Sequence, residues 1–313
     1  MANSIHIILA PMHGYADALM RSTLLQIGGL DATMSEFVRI THTIHSHSVW
    51  HQKIPELQQQ STIPCAVQLL GSDALTMSEN ALIAVACGAK WIDVNFGCPA
   101  PTVNRHSGGA ALLQYPQQIE TIIKTLKERL PQNIRLTAKM RLGLSDTSPA
   151  IACAQAIERG GASAVTVHAR TKDEAYLPPA HWEWFSHIQN SISIPVIANG
   201  DIFSVADFYR LIECFPTENI MLGRGMLMQP DLAKQIKASV SGKFVTPMNH
   251  DDIIQLLRDF FTQAQRQHEK YALSRLKQWL PLLAKNYPQI QSIIAPMRQI
   301  TDAETMISFL NQC

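Results

Sequence analysis

Eight short apolar runs, separated by stretches of helical periodicity, place the strongest constraint on the fold of this 313-residue chain. Several runs are apolar on both faces, as expected for parallel strands that are covered on both sides of a sheet. They occupy residues 5–11, 32–37, 64–70, 91–97, 134–143, 163–170, 194–200 and 219–225. The helical stretches between them are clearest at 16–27, 73–87, 116–129, 150–159 and 205–214.

Eight β/α units within about 225 residues match the length of a (β/α)8 barrel. The alternative is a doubly wound open sheet. That fold is disfavoured because the eight runs are regularly spaced and no G-x-G-x-x-G follows the first of them. The sequence therefore predicts an α/β chain with a TIM barrel over residues 1–240.

The composition changes beyond the last run. From residue 249 to 313 we predict only amphipathic helices, at 251–268, 274–286, 289–297 and 302–310, which form a small all-helical C-terminal domain after a linker at 239–248. Between residues 258 and 298, seven basic residues stand against two acidic ones, although the whole chain has a net charge of only +1. Such an excess indicates either a solvated helix face or a nucleic-acid contact surface.

Several further features limit the class of protein. The six cysteines include no C-x-x-C pair, the N-terminus has no basic signal region, and no apolar stretch is long enough for a membrane span. We therefore expect a cytoplasmic protein with reduced thiols and no contact with a membrane. His42, His45, His47 and His51 lie close together without a cysteine or carboxylate at metal-site spacing, so we expect no metal there but a solvated or RNA-facing loop. The expected oligomeric state is a monomer.

The segment W-I-D-V-N-F-G-C-P presents Cys98 between Gly97 and Pro99, where a buried strand ends. One interpretation is a structural thiol in an exit loop; the other is a catalytic thiol on an active-site loop. In a TIM barrel the chemistry takes place at the carboxyl ends of the strands, and polar residues follow most of the other runs as well.

Two features of those strand ends indicate an anionic ligand. Lys139 lies inside an apolar run, where a charge is costly unless it has a partner. The turns Asn199-Gly200-Asp201 and Gly223-Arg224-Gly225 follow the seventh and eighth runs, where barrels commonly bind phosphate. A phosphorylated planar cofactor such as FMN fits both features, with Gln68 at the pyrimidine-like edge of its ring system and Lys139 beside the ring atoms that become anionic on reduction.

At this point the chain resembles a known family. The motifs N-F-G-C-P, S-G-G-A-A-L, K-M-R-L-G, V-H-A-R-T, N-G-D and G-R-G, in this order, resemble those of the tRNA-dihydrouridine synthases over essentially the whole chain. The motifs A-P-M, E-F-V-R and S-R-L-K-Q-W-L are most similar to the bacterial C-type subfamily, which reduces the uridine at position 16 of the tRNA D loop. His13 departs from the family, which more often has an acidic or small residue there.

The resemblance implies roles for individual residues. Cys98 would be the general acid. The FMN-binding residues would be Pro11, Met12, His13, Gln68, Lys139, His168, Asn199, Gly200, Asp201, Gly223 and Arg224. The tRNA-binding residues would be Glu36, Arg39, Asn95, Arg141, Tyr176, Arg275, Lys277 and Arg298, with Asn95 and Arg141 near the uracil carbonyls.

The implied reaction uses NADPH, or NADH, to reduce FMN. A hydride then passes to carbon 6 of uridine, and the Cys98 thiol protonates carbon 5, for which the thiol must be uncharged. The target base must leave its stack to reach the barrel mouth while the helical domain holds the tRNA. A small-molecule FMN reductase would leave the basic helical domain without a purpose. A tRNA-binding chaperone with a vestigial barrel would leave Cys98, Lys139 and both glycine turns without one.

Overall fold

The computed structural model describes residues 4–59, 61–100 and 108–313. Ser107 of the S-G-G-A-A-L motif lies outside these ranges. The described residues contain nine strands, all paired in parallel: β1 His6–Leu9, β2 Ala32–Met34, β3 Val38–Arg39, β4 Cys65–Leu70, β5 Trp91–Phe96, β6 Arg135–Gly143, β7 Val165–Thr171, β8 Val196–Asn199 and β9 Asn219–Leu222. Because β1 pairs with both β2 and β9, and β2 also pairs with β4, eight strands close into a barrel. The predicted TIM barrel is confirmed.

The second apolar run is interrupted where one continuous strand was expected. Strand β2 ends at Met34, and the short β3 pairs only with the carboxyl end of β4. The cause is local: the backbone N–H of Gln68 donates to the hydroxyl of Ser35, at 3.1 Å, instead of to a backbone carbonyl. The regular ladder therefore stops at Ser35 and resumes at Val38.

Helices surround the barrel: α1 Ala18–Ile27, α2 His47–Lys53, α3 Ala74–Ala86, α4 Pro116–Arg129, α5 Ala150–Arg159, α6 Glu183–Gln189, α7 Val205–Cys214, α8 Arg224–Met228 and α9 Leu232–Val240. Short 3-10 turns occupy Pro55–Gln58 and Gly109–Gln114. Side-chain caps explain where several helices begin, because Asp17, Asp73 and Ser204 each accept a backbone N–H of the first turn. Helix α1 consequently starts at Ala18 rather than at the predicted residue 16.

The interior of the barrel is divided into two halves. Ile8, Ala32, Ala66, Trp91 and Met221 are among the residues of an apolar cluster that fills the amino-terminal half. Toward the carboxyl ends of β4 to β8, the inward positions become polar. Because side chains alternate along a strand, inward-facing residues recur at every second position. The polar inward positions therefore stack in layers beneath the mouth of the barrel.

The C-terminal part consists of α10 His250–Gln265, α11 Glu269–Leu283, α12 Ile290–Gln299 and α13 Ala303–Leu310. Helix α10 begins with a capping box formed by Asn249 and Asp252, and Phe260 packs edge-on against Trp279 of α11 with ring centroids 5.0 Å apart. Helix α11 starts five residues earlier than predicted because His268 caps its first turn. These helices lie against the barrel, where the Trp279 indole N–H donates to the Leu227 carbonyl at 2.8 Å. In the described ranges, no helix is long and apolar enough to cross a membrane.

Candidate active site

A cavity of about 530 Å³ opens at the carboxyl ends of the strands. This is the end of a TIM barrel that carries the active site. Most of the residues singled out from the sequence line it: Pro11, Met12, His13, Asn95, Cys98, Lys139, Arg141, His168, Tyr176, Asn199, Gly200, Asp201, Gly223 and Arg224. Strands that are distant in sequence thus bring these side chains to one rim.

Cys98 lies at the edge of the cavity and is only 7% exposed, in contact with a small apolar cluster that includes Leu70 and Phe37. Burial raises the pKa of its thiol, while the backbone N–H of Ala100 and the guanidinium groups of Arg141 and Arg39 act in the opposite direction. The net upward shift keeps the thiol protonated at neutral pH. Cys98 is therefore suited to donate a proton and unsuited to act as a thiolate nucleophile.

Lys139 lies on β6, directly opposite Asn95 of β5. Burial and, to a smaller extent, the nearby Arg141 lower the pKa of its ammonium to about 7, although Asp93 acts in the opposite direction. Among the described side chains, none accepts a hydrogen bond from this ammonium. An acceptor or anionic group in the cavity would supply the partner that the protein does not provide.

The deep wall of the cavity is strongly cationic. Burial, together with Arg141, Lys139, Arg170 and Arg224, holds the pKa of His168 well below its usual value, so its imidazole is neutral. Arg170 Nη1 lies 3.2 Å from His168 Nε2, which makes that nitrogen the acceptor.

The carboxylate of Asp201 lies beside this group of cations. It pairs with Arg170 and lies 3.5 Å from Arg224. Among the described residues that line the cavity, Asp201 is the one acidic side chain. The resulting excess of positive charge favours an anion such as phosphate.

The two predicted glycine turns lie next to each other. The side-chain amide of Asn199, at the end of β8, donates to the Met221 carbonyl on β9 at 2.9 Å. Gly200 has a φ of +135°, which requires glycine, and a Cβ on Gly225 would lie 2.2 Å from the Ile202 carbonyl oxygen. Glycine at these two positions therefore lets the turns pack closely against their protein neighbours, which keeps Asn199 and Arg224 at one edge of the cavity.

Aromatic rings surround the mouth. Tyr176 is about half exposed, and the guanidinium groups of Arg224 and Arg141 lie 4.8 and 5.4 Å from its ring centroid. On another side of the cavity, His13 stacks on Phe37 with centroids 4.7 Å apart. Exposed rings of this kind are surfaces on which a nucleobase can stack.

Gln68 does not line the cavity, although the sequence predicts it to contact the cofactor. It is fully buried one layer lower, and its amide Nε2 donates to Asp93 Oδ2 at 2.8 Å while its Oε1 accepts from Asn95 at 2.8 Å. The reason is the register of the strands, since Gln68 pairs with Asp93 and not with Asn95. Its role at the cofactor remains a prediction.

The residues predicted to bind tRNA outside the cavity differ in exposure. Arg39 and Arg298 are exposed, whereas Glu36 is partly buried and accepts the backbone N–H of Gly14. Lys277 caps the end of α12 by donating to the carbonyls of Arg298 and Ile300, at 3.1 and 2.5 Å.

Arg275 is only 6% exposed. It bonds to Asp17, to the carbonyls of Gly14 and Tyr15, and to Gln278. It therefore joins α11 to the loop that follows β1.

Three residues at or beneath the site were given no role from the sequence. Arg170 and Asp93 both face the interior of the barrel, and Phe203 lies 5.4 Å from the Arg224 guanidinium. Arg170 is two residues from His168 on its strand, and Asp93 is two residues from Asn95, so each faces the same side of the sheet as a predicted site residue. The alternation of side chains along a strand could therefore have predicted that both point into the barrel. The described residues contain no group of three or more His, Cys, Asp or Glu side chains placed to hold a metal.

A closed β/α barrel with a protonated thiol, a buried lysine and a cationic wall at its carboxyl end defines an enzyme of the TIM-barrel class. The sequence profile described as Dihydrouridine synthase (Dus) matches residues 8–308, so the chain belongs to the dihydrouridine synthase family. It is therefore an oxidoreductase.

Curated relatives are similar over nearly the full chain. A tRNA-dihydrouridine(16) synthase of Neisseria meningitidis serogroup A is 50% identical over 311 residues, which cover 97% of this chain and 93% of the relative. The protein of that name in Pseudomonas putida is 43% identical over 303 residues, or 95% and 94% of the two chains. A solved structure of histamine dehydrogenase from Rhizobium sp. 4-9 has a TM-score of 0.55 at 14% identity, covers 76% of this chain and 46% of that one, and supports the barrel fold alone.

Proposed function

We propose that this enzyme reduces the uridine at position 16 of the tRNA D loop to 5,6-dihydrouridine, as a monomer in the cytoplasm, with FMN as its cofactor and NADPH, or NADH, as reductant. The names of the relatives support tRNA as the substrate and position 16 as the target. The observation that carries the proposal is that Cys98, Asn95, Lys139 and Arg141 line one cavity, so a proton donor and several N–H donors can act on one base.

The residues of the cavity fit FMN in two respects. Lys139 lacks an acceptor among the described side chains, which an acceptor edge of the ring system would supply. The adjoining turns Asn199–Asp201 and Gly223–Gly225, with Arg224, are suited to its phosphate. Pro11, Met12, His13 and His168 would complete the binding site, with Gln68 supporting it from below. Bound and reduced FMN would supply the hydride for carbon 6 of the uracil.

The protein side chains carry out the remaining chemistry. Asn95, Arg141 and Lys139 donate hydrogen bonds to the uracil carbonyls, where negative charge develops as the ring is reduced. Cys98 Sγ gives its proton to carbon 5. Burial of the thiol disfavours the thiolate, so Cys98 begins each turnover with the proton that it donates and must take up another proton before the next.

The helical part, residues 249–313, is proposed to bind the tRNA. Arg298, Lys285, Arg266 and Lys270 are exposed cations available to phosphates. Arg275 and Lys277 hold α11 and α12 in place. Together with Glu36 and Arg39 they remain predicted contacts of the tRNA. Tyr176 is proposed to stack against the base that has left the D loop.

Reconstitution with defined RNA tests the proposal. The purified protein would be checked for a bound flavin, reduced anaerobically with NADPH or NADH, and mixed with unmodified tRNA transcripts that carry either U16 or C16. We expect dihydrouridine at position 16 in the U16 transcript alone. A flavin-containing protein that oxidises NADPH yet leaves both transcripts unmodified would instead favour a small-molecule reductase.

A further inference from the structure

Asp93 is a fully buried carboxylate in the middle of β5 that lies beneath the cavity without lining it. Its Oδ2 accepts from Gln68 Nε2 at 2.8 Å, and its Oδ1 accepts from the Thr137 hydroxyl at 2.6 Å. Burial raises its pKa to about 6, and the two hydrogen bonds and Lys139 oppose that shift. Because both carboxylate oxygens accept hydrogen bonds from these donors, neither carries a proton and the carboxylate is ionised. A charge in this position is costly, and the proton-transfer chemistry proposed above does not use it.

A chain of hydrogen bonds leads from Asp93 to the active site. Gln68 Oε1 accepts from Asn95 Nδ2 at 2.8 Å, and Asn95 Oδ1 accepts from the backbone N–H of Gly97 at 2.9 Å. The second N–H of Gln68 Nε2 donates to the sulfur of Met34, with 3.1 Å between nitrogen and sulfur. Asn95 is the member of this chain that lines the cavity.

The two ends of the chain determine its direction. An ionised carboxylate can only accept hydrogen bonds, and a backbone N–H can only donate. If either amide turned by 180°, two donors or two acceptors would face each other somewhere between Asp93 and Gly97. Both amides are therefore held in one orientation, and one N–H of Asn95 is left without an acceptor among the described residues.

We propose that Asp93 is a positioning residue, which acts through Gln68 to hold the Asn95 amide so that its second N–H meets a carbonyl oxygen of the target base. This inference rests on the proposed function, because it assumes a base with carbonyl acceptors in the cavity. Replacing the carboxylate with an amide would give the chain a second donor at its lower end and remove its fixed direction.

Three variants separate this role from a merely structural one. Asp93→Asn keeps the shape and removes the fixed direction. Thr137→Val is the matched control, since it removes the other hydrogen bond to Asp93 and leaves the Gln68–Asn95 chain intact. Asp93→Asn combined with Asn95→Asp restores a complete chain running in reverse. The carboxylate that the second substitution introduces can accept from both Gln68 and Gly97 but cannot donate to the base.

Each FMN-loaded protein would be characterised by thermal unfolding and by kcat and KM on U16 tRNA. For Asp93→Asn we expect kcat to fall about 10- to 100-fold, the loss typical of one hydrogen bond to the reacting group, with little change in KM because the outer tRNA contacts remain. Thr137→Val should lower the unfolding temperature similarly while kcat stays within about threefold of wild type. The double variant should regain the unfolding temperature lost by Asp93→Asn, with no gain in kcat.

Equal losses of kcat in Asp93→Asn and Thr137→Val would overturn the inference and indicate a purely structural carboxylate. So would a double variant no more stable than Asp93→Asn. The unfolding comparison does not depend on the substrate. A wild-type protein inactive on tRNA would therefore count against the proposed function, while the stability of the double variant would still decide whether the chain of amides has the direction described.

Discussion

Arg275 connects the helical part of the chain to the barrel, so its replacement by alanine should cost much more stability than a typical surface substitution. Its guanidinium donates to the Asp17 carboxylate at 2.8 Å and to the carbonyls of Gly14 and Tyr15 at 2.8 and 2.6 Å, and it also contacts Gln278. With a side chain only 7% exposed, this is a largely buried ion pair.

The size of the effect follows from the partners left behind. Hydrogen bonds to charged groups contribute about 1.5–3 kcal/mol each, and breaking a buried ion pair costs about 3–5 kcal/mol. Asp17 keeps its bonds from Met20 N–H and the Tyr271 hydroxyl, and Gly14 is exposed, so water can satisfy part of what is lost. We therefore expect Arg275→Ala to lower the free energy of unfolding by about 2–4 kcal/mol.

Urea unfolding of the whole protein, followed by circular dichroism, measures this difference. Lys277→Ala is the matched control, since Lys277 is two residues away and partly exposed, and it should lose about 1 kcal/mol. A change below about 0.5 kcal/mol for Arg275→Ala would refute this reasoning, because that is the range of a surface substitution without buried partners.

Four further predictions concern the site and the RNA surface. Cys98→Ala should retain FMN and tRNA but lose about 10²–10⁴-fold in turnover, measured as dihydrouridine formed per enzyme; near-normal turnover would remove Cys98 as the acid. The pKa of Lys139 is about 7 in the protein without ligand, and an anionic ligand favours the charged form of this side chain. FMN titrations should therefore show an affinity that falls by up to about tenfold per pH unit above 7. Lys139→Met should bind weakly with no such slope, and an unchanged slope would contradict the assignment. Gly225→Ala should impair FMN retention, since its Cβ would lie 2.2 Å from the Ile202 carbonyl; a fully loaded variant would contradict this. Arg298→Ala should weaken tRNA binding and reduce the slope of log affinity against log salt concentration by about 1, the value for one lost phosphate contact. An unchanged slope would indicate that the Arg298 side chain is merely solvated.

The fold and the rim of the cavity could be predicted from the sequence because both depend on simple regularities. Apolar runs of strand length recur at even spacing, and in a parallel barrel their carboxyl ends must meet. Residues as distant in sequence as Asn95, His168 and Arg224 therefore come to one cavity.

The depth of each residue could not be predicted in the same way. Gln68 and Asn95 both lie near the end of an apolar run, but the stagger between β4 and β5 places Gln68 one layer lower in the barrel. The sequence of a single strand does not indicate how far that strand is shifted relative to its neighbour. Arg275 belongs to a basic segment, yet it lies on the buried face of α11 with Ala272 and Trp279. The spacing of those two residues from Arg275, three and four positions, was the available signal.

The measurement that tests the central claim most directly is site-resolved mapping of dihydrouridine in tRNA from cells that lack this protein, before and after the purified protein is added with NADPH. We predict that position 16 alone loses the modification and regains it. Change at a different D-loop uridine would leave the chemistry intact and contradict the proposed mode of tRNA binding. If no position changed, tRNA reduction by this enzyme would be contradicted.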